Sequence, residues 1–172
     1  MKIQPIQTPR LVLRGFTKDD ARFAVSIWND PEMGEYLPDE AMEEIDDAYL
    51  REIEVLGEDE ECCYLIAEDR QTRERIGTCS FIPSADGQTY DIAYCVHRRF
   101  WRSGYATEMA RGMVDYARAQ GAQKVTIRIN RDNAASNRVA QKLGFAVVGE
   151  KIYKKRGTEL VFTDHLYELN LR

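Results

Sequence analysis

The sequence predicts a mixed α/β fold in which helices cover a central β-sheet. Two observations carry this prediction. Several segments alternate polar and apolar residues with the period of a strand, and others repeat apolar residues every three or four positions, as amphipathic helices do. The chain has 172 residues, 44% of them apolar, which is enough to bury a core. In chain order the elements read β-α-α-β-β-β-α-β-α-β-β.

The N-terminal third is predicted to hold one strand and two helices. Residues 10–16 alternate polar and apolar side chains, which is typical of a strand. A helix is expected at 19–29, because Thr17 is a favourable N-cap and Pro31 disfavours helix at the residue before it. Apolar residues at helical spacing predict a second helix from 41 to 53.

The rest of the chain is predicted to add six strands and two helices. Turn-forming residues separate these elements, and glycines follow both helices. The strands are expected at 63–68, 75–81, 89–96, 125–129, 146–153 and 159–170, and the helices at 104–120 and 133–143.

The distribution of charge is uneven. The net charge is −5, which disfavours a nonspecific nucleic-acid binder. Residues 39–61 hold 12 acidic side chains and one basic one, a local charge of −11 that leaves +6 for the remainder. This acidic segment is either a solvated helix face or a surface that attracts a cation. The chain lacks an apolar run of roughly 18 residues and an N-terminal signal core, so we expect a cytoplasmic protein without a membrane anchor.

The cysteines do not form a metal-binding pattern. They stand at positions 62, 63, 79 and 95 with no C-x-x-C pair, and His97 and His165 are far apart in the sequence. We interpret the four cysteines as small apolar residues of a reducing compartment, and we expect no metal site.

The segment from Phe100 to Glu108 has the composition of an anion site. A predicted strand ends near Val96, a loop with three arginines follows, and a helix begins near Gly104. Free backbone N–H groups at a helix N-terminus bind anions, and small residues let a phosphate approach closely. The sequence lacks both the G-x-G-x-x-G of a dinucleotide fold and the G-K-[ST] of a P-loop.

Four motifs then resemble a known family, the GNAT acetyltransferases, and most closely the RimJ/RimL-like branch that acetylates ribosomal-protein N-termini. In chain order they are Thr8-Pro-Arg-Leu-Val-Leu-Arg14, Trp28-Asn-Asp-Pro-Glu32, Gly104-Tyr-Ala-Thr-Glu108 after Trp101, and Asn133-x-x-Ser136-Asn137-x-x-Ala140-x-Lys142-Leu-Gly-Phe145. The resemblance implies a single GNAT domain over 1–172. It implies a mixed, mostly antiparallel sheet of about seven strands with about four helices, in which strands 4 and 5 splay apart to form the acetyl-CoA cleft.

The resemblance also implies which residues contact acetyl-CoA. Backbone groups of Cys95, Val96 and His97 would pair with the pantetheine arm, and the side chain of Asn133 would contact that arm. The pyrophosphate would be held by the amides of Ser103, Gly104, Tyr105, Ala106 and Thr107. Relatives often carry glycine where this chain has Arg102, so we expect this arginine to adopt an ordinary φ and its side chain to reach a phosphate.

Acetyl transfer to an amine requires a base for the ammonium and benefits from an acid for the leaving thiolate. Asp91 aligns with an acidic strand residue that serves as a base in some family members, and Glu150 is a weaker candidate. Many relatives carry a tyrosine that acts as the acid where this chain has Ala140. Ser136 instead matches a serine to which that role is assigned in the RimL-like branch. The resemblance also places Ser136 among the residues that contact the cofactor. Asp91 is otherwise an exposed or ion-paired strand residue, and Ser136 a hydroxyl bonded to its own helix.

The predicted function is direct transfer of the acetyl group of acetyl-CoA to a primary amine. The acceptor is a protein N-terminal α-amine or, alternatively, a small amine such as a polyamine or antibiotic. The acidic segment favours a cationic acceptor. A noncatalytic acyl-CoA-binding module is the alternative from another class, and the chain is expected to be a monomer or a homodimer.

Overall fold

A single mixed sheet of eight strands runs through the computed structural model, which describes residues 1–171. The strand order across the sheet is β1-β2-β3-β4-β5-β6-β8-β7. The strands are β1 Ile6–Gln7, β2 Leu11–Gly15, β3 Cys63–Asp69, β4 Arg75–Pro83, β5 Thr89–Val96, β6 Lys124–Asn130, β7 Ala146–Lys154 and β8 Val161–Asn170.

Four α-helices connect these strands: α1 Ala21–Trp28, α2 Asp47–Glu54, α3 Tyr105–Ala119 and α4 Ala134–Lys142. Short 3-10 helices lie at Lys18–Asp20, Leu56–Glu58 and Arg98–Phe100. Within the described residues, no helix has the length and apolar character needed to cross a membrane.

The predicted fold class and element order are confirmed, with two differences. The strand β1 was missed, because two residues are too few to show an alternating pattern, and the sheet therefore has eight strands rather than about seven. The helix predicted from residue 41 begins only at Asp47. Asp46 adopts an extended conformation and its carboxylate accepts a hydrogen bond from Tyr49 N at 2.7 Å, which fixes the N-terminus there.

The two faces of the sheet are covered by different helices. Helices α3 and α4 pack on one face, over a core that includes Phe81, Ile92 and Ile127. Helices α1 and α2 pack on the other face, around Phe16 and Ile66. Because side chains alternate along a strand, every residue of β5 is assigned to one of these two faces. Three of the four free cysteines are buried, as their interpretation as core residues predicts, and the fourth is half-buried.

A buried ion-pair network holds the start of α1 to the sheet. The Asp20 carboxylate is fully buried and accepts hydrogen bonds from Arg14 Nη1 at 2.8 Å and from Arg75 Nε at 2.7 Å. Thr17, the predicted N-cap, forms a capping box with Asp20. Burial acts to raise the pKa of Asp20, but the hydrogen bonds from Arg14 and Thr17 outweigh it and lower the pKa to about 2.

The sheet divides between β5 and β6, which are strands 4 and 5 of the prediction because β1 precedes them. These strands pair in parallel over only four positions, from Thr89↔Lys124 to Ile92↔Ile127. Beyond this point β5 stays paired with β4 as far as Gly77↔Val96, and β6 stays paired with β8 as far as Asn130↔Asp164. Each strand follows its own antiparallel partner, and a cleft opens between them. We call this cleft the fork.

Candidate active site

The loop at the mouth of the fork presents a row of free amides. From Arg102 to Thr107 no backbone N–H donates to a backbone oxygen of the described chain, and this hydrogen bonding resumes where Glu108 N donates to Gly104 O at 3.1 Å. Gly104 has φ +80°, a left-handed conformation that suits glycine and turns the chain into α3. Five of these six amides are those predicted to hold a pyrophosphate, from Ser103 to Thr107. The arrangement is an anion site at a helix N-terminus, and we call residues 102–107 the anion loop.

Two of the sequence motifs meet at this loop. The Glu108 carboxylate accepts hydrogen bonds from Thr8 Oγ1 at 2.6 Å and from Arg10 N and Nε, both at 2.7 Å. Arg10 also donates from Nη1 to Ser103 O at 2.8 Å and lies 4.1 Å above the Tyr105 ring. Burial acts to raise the pKa of Glu108, but these hydrogen bonds outweigh it and lower the pKa. The motif glutamate therefore fixes the shape of the anion loop from outside it.

The three arginines of the loop differ in availability. Arg98 contacts the carboxylates of Glu32 at 3.3 Å and Asp30 at 3.6 Å, and Arg99 contacts Glu74 at 3.4 Å. Within residues 1–171, Arg102 has no ion-pair partner, so its charge alone is free for a ligand.

The prediction that Arg102 adopts an ordinary φ is wrong. Its φ is +61°, in the left-handed region that favours glycine. Arg102 adopts this conformation in a turn with Trp101, between the 3-10 helix and Gly104. The arginine therefore keeps a glycine-like backbone and its strain, rather than avoiding them.

The backbone of β5 faces the fork at alternate residues. His97 N donates to Ile76 O at 2.9 Å, and Cys95 O points at Gly77, so both residues turn these groups toward β4. The antiparallel ladder alternates, which leaves the backbone of Tyr94 and Val96 directed into the fork. This geometry runs against the expectation that Cys95 and His97 offer their backbone to a ligand, and it agrees with the expectation for Val96.

Trp101 and Asn133 each make a hydrogen bond that limits which polar groups remain for a ligand. Trp101 Nε1 donates to Val96 O at 2.7 Å, so the carbonyl of this strand end is already bonded. Asn133 caps α4, with its side-chain oxygen accepting from Ser136 N at 3.2 Å. The amide nitrogen of Asn133 is the part of the predicted contact that this cap leaves for a ligand.

Asp91 lies on the face of the sheet that α1 and α2 cover. Its neighbours Tyr90 and Ile92 belong to the core under α3, and alternation turns Asp91 the other way. It is exposed, sits one pair before the fork opens, and accepts a hydrogen bond from Thr126 Oγ1 at 2.7 Å. Among the described residues it has no ion-pair partner. Glu150 is on the edge strand β7, beside His165, and is separated from the fork by β6 and β8.

Ser136 lies on the opposite side of the fork, on the first turn of α4. Its polar neighbour is the hydroxyl of Tyr94, which sequence reasoning missed. Tyr94 stands on β5 beyond the last pair with β6, and its hydroxyl oxygen is buried. Tyrosine in an alternating strand is typical of core, so the sequence carried no signal for this contact. The structure brings Asp91 and Ser136 to the two sides of one fork.

A small pocket of about 130 Å³ opens on the Asp91 side of the sheet. Side chains of Thr78, Ser80, Ala93 and Cys95 share the sheet face that forms its floor. Residues outside β4 and β5 complete the lining; they are Phe16, Trp28, Leu37, Tyr64 and Leu65. The lining is apolar and hydroxylic, with no acidic residue among its members.

Comparison with known proteins decides the family. The model of the acetyltransferase (GNAT) domain matches residues 10–146, which include the fork, the anion loop, three of the four motifs in full and the first motif from Arg10 onward. The chain belongs to the GNAT acetyltransferase family. It is 31% identical over 148 residues to the uncharacterized N-acetyltransferase YoaA of Bacillus subtilis, with 84% of each chain covered. The fold and the enzyme class of a GNAT N-acetyltransferase predicted from the sequence are thereby confirmed.

Two solved structures share this GNAT fold. Spermidine N-acetyltransferase from Vibrio cholerae, determined with CoA and spermine, superposes with a TM-score of 0.80 at 16% identity, covering 94% of this chain and 96% of that one. A protein from Vibrio cholerae assigned as a ribosomal-protein-serine acetyltransferase superposes with a TM-score of 0.72 at 18% identity, covering 99% of both chains. At these identities the likeness concerns the fold alone.

For the described residues, no group of three or more histidine, cysteine, aspartate or glutamate side chains lies where it could hold a metal ion.

Proposed function

We propose that this GNAT enzyme binds acetyl-CoA in the fork and transfers its acetyl group directly to a primary amine. The observation that carries the proposal is the junction of the fork with the anion loop. A row of free amides, a free Arg102 side chain and an open strand edge occur in sequence over residues 94–107. A pyrophosphate fits the first two, and an amide-containing arm fits the third.

In this arrangement, the amides of Ser103 to Thr107 hold the pyrophosphate and Arg102 contacts a phosphate. The pantetheine arm pairs with the backbone of Tyr94 and with the N–H of Val96 as an added strand would, since Trp101 already bonds the Val96 carbonyl. This assignment replaces Cys95 and His97 of the sequence prediction, because their backbone groups face β4.

The two sides of the fork would then carry the two proton transfers. Asp91 accepts a proton from the acceptor ammonium, directly or through a water molecule. The free amine attacks the thioester carbon, a C–N bond forms, the C–S bond breaks, and the nitrogen of the new amide releases its second proton to solvent. The Ser136 hydroxyl gives its proton to the leaving sulfur and regains one from solvent. Asp91 on the α1 and α2 side and Ser136 on the α4 side leave the acetyl group between them.

For the acceptor, we propose a cationic amine, with a peptide N-terminus preferred and a small amine such as a polyamine as the second candidate. Three carboxylates of the acidic segment already make structural contacts. Asp39 pairs with Arg156, Asp46 caps α2, and Asp59 caps the turn before β3. Exposed carboxylates such as Glu43 and Glu44 have no such partner in the described chain and remain to attract a cation.

The small pocket favours the peptide over the polyamine. A polyamine carries charge along its whole length, whereas the pocket beside Ala93 is lined by apolar and hydroxyl-bearing side chains. A peptide N-terminus would present its amine to Asp91 and place a small first side chain in the pocket. The spermidine enzyme that shares the fold keeps the polyamine as a candidate.

We further propose that residues 1–172 form one domain of the RimJ/RimL-like branch. We place the enzyme in the cytoplasm, where free thiols such as its four cysteines stay reduced. The proposed site lies within one chain, so the proposal holds for a monomer and for a homodimer.

The test is acetylation of a mixed acceptor pool, read by mass spectrometry. The pool contains peptides with free N-termini, N-blocked lysine peptides, polyamines and aminoglycosides. Labelling of α-amines supports the preferred acceptor, and labelling of polyamines alone transfers the proposal to the second candidate. Acetyl-CoA binding without release of CoA to any amine would support the noncatalytic module and contradict the proposed function.

The acidic segment is tested with a matched pair of variants. Replacing Glu43, Glu44 and Asp47 together by their amides should raise KM for a cationic acceptor severalfold at low salt and leave KM for acetyl-CoA unchanged. Asp46 is left intact because it caps α2. The control neutralises Asp115 and Glu159, two exposed acidic residues that lie outside the acidic segment. An unchanged acceptor KM would contradict the role of the acidic segment.

A further inference from the structure

The side chain of Tyr94 occupies a position in the fork that the proposed chemistry has not used. It lies on β5 two residues beyond Ile92, the last residue paired with β6. Its side chain shares the face of Tyr90 and Ile92, toward α3 and α4. The phenol therefore extends from the open half of the strand toward the first turn of α4, where Ser136 stands.

The hydroxyl of Tyr94 is buried and has no hydrogen-bond partner of good geometry among the described residues. Buried hydroxyls in proteins are nearly always bonded, because an unbonded one loses its hydration without replacement. Ser136 is close enough to act on the titration of Tyr94 and is its polar side-chain neighbour. An orphaned hydroxyl beside a second hydroxyl, at the edge of a ligand cleft, indicates a contact that is completed when the cleft is filled.

We propose that Tyr94 is a positioning residue that donates a hydrogen bond to Ser136 Oγ once the thioester is bound, so that the Ser136 proton is directed at the sulfur. The inference rests on the proposed function, because it deepens the role of Ser136. Tyr94 does not itself transfer a proton to the substrate.

The titration of Tyr94 is consistent with a hydrogen-bond donor. Burial raises the pKa of its phenol to about 12, so the group is neutral near pH 7. A neutral phenol holds its proton and orients its acceptor. A hydroxyl fixed from one side has its own hydrogen confined to the other side, and for Ser136 that side is the fork.

The matched control is on the same strand. Tyr90 shares the face of Tyr94 but lies in the half of β5 that pairs with β6, where it packs against Phe81 with ring centroids 5.4 Å apart. Tyr90→Phe removes one hydroxyl from the same face outside the open half of the fork. Its kcat should stay within twofold of that of the unaltered enzyme.

The experiment is a double-mutant cycle on kcat with the best acceptor from the mixed pool. Tyr94→Phe should lower kcat roughly five- to tenfold, the effect of one net hydrogen bond, while both KM values and the thermal midpoint stay unchanged. Ser136→Ala should lower kcat further. The double variant should equal Ser136→Ala alone, because Tyr94 acts only through that hydroxyl.

Two results would overturn the inference while leaving the proposed function standing: an unchanged kcat in Tyr94→Phe, or losses that multiply in the double variant. An unchanged kcat in Ser136→Ala would instead contradict the proposed acid itself. The pH profile of kcat is the second readout. Tyr94→Phe should keep its shape, whereas loss of a limb at high pH would make Tyr94 an acid and overturn the positioning role.

Discussion

Arg10 and Glu108 lie 98 residues apart in the sequence and form a salt bridge with a distance of 2.7 Å between Nε and Oε2. The same guanidinium donates to Ser103 O. The pair thus ties the N-terminal motif to the anion loop and holds the Ser103 carbonyl away from the amides that follow it. Two motifs that are unrelated as sequence patterns are parts of one construction.

Removing this brace should loosen the anion loop. We expect Arg10→Ala to raise KM for acetyl-CoA about tenfold, because the loop amides are no longer fixed, with little change in acceptor KM. The matched control is Arg118→Ala, which removes an exposed pair with Asp115 at the far end of α3. Kinetics with varied acetyl-CoA measure both variants, and equal effects would show that the brace has no specific role.

Replacing Arg102 by glycine should act on stability and binding in opposite directions. Glycine relieves the strain of a φ of +61°, so the folded protein should gain about 1 kcal/mol in unfolding free energy. The same change removes the free cation of the loop and should raise the Kd for CoA severalfold. Arg102→Lys keeps the charge and the strain, and it should keep most of the affinity. Urea unfolding and calorimetric titration with CoA measure the two quantities, and weaker folding of the glycine variant would contradict the account.

Asp91→Asn should lower kcat at neutral pH by roughly a hundredfold, the usual effect of losing a general base. The loss should shrink as the pH rises, because a growing fraction of the amine acceptor is already deprotonated. KM for acetyl-CoA should not change, since Asp91 lies on the α1 and α2 side of the fork and is not among the residues proposed to bind acetyl-CoA. Asp115→Asn is the control for an exposed aspartate. A loss that is independent of pH would argue against a role in deprotonation.

Asp20 should govern stability in acid. Its pKa is about 2 in the folded protein against an ordinary value of 3.8. The stabilisation is therefore fully present above about pH 4 and is lost as the pH falls toward 2, and a shift of this size corresponds to about 2 kcal/mol.

Asp20→Asn should flatten this acid dependence and cost about 3 kcal/mol at pH 7, because Arg14 and Arg75 lose their shared buried partner. Asp19→Asn, at the exposed neighbouring position, should do neither. Urea midpoints from pH 7 to pH 2 test both variants. A variant with the same acid limb as the unaltered protein would show that Asp20 is not responsible.

The sequence predicted the element order because most elements carry a strong period. The strands from Cys63 to Val96 and the helix after Gly104 lie almost where alternation and helical spacing put them. The position of strand β1 and the start of α2 are not set by a periodic pattern of apolar residues. They depend on pairing with a distant strand and on the single cap at Asp46, so neither left a readable pattern.

The site shows the same division. The loop amides from Ser103 to Thr107 were predicted from the resemblance to the GNAT family, and the structure leaves them free. Which β5 residues turn their backbone to the fork follows from the register with β4, and one residue of slip would exchange Cys95 for Val96. No local pattern sets that register. The left-handed Arg102 and the orphaned hydroxyl of Tyr94 likewise depend on long-range packing.

Amide hydrogen exchange during titration with acetyl-CoA tests the central claim, that the fork and the anion loop together form the acetyl-CoA site. We expect new protection at Tyr94 and Val96 and at the loop amides from Ser103 to Thr107. The His97 amide should not change, because it is already bonded to Ile76 O. Binding that protects amides elsewhere and leaves those of the fork and the loop exchanging freely would contradict the account.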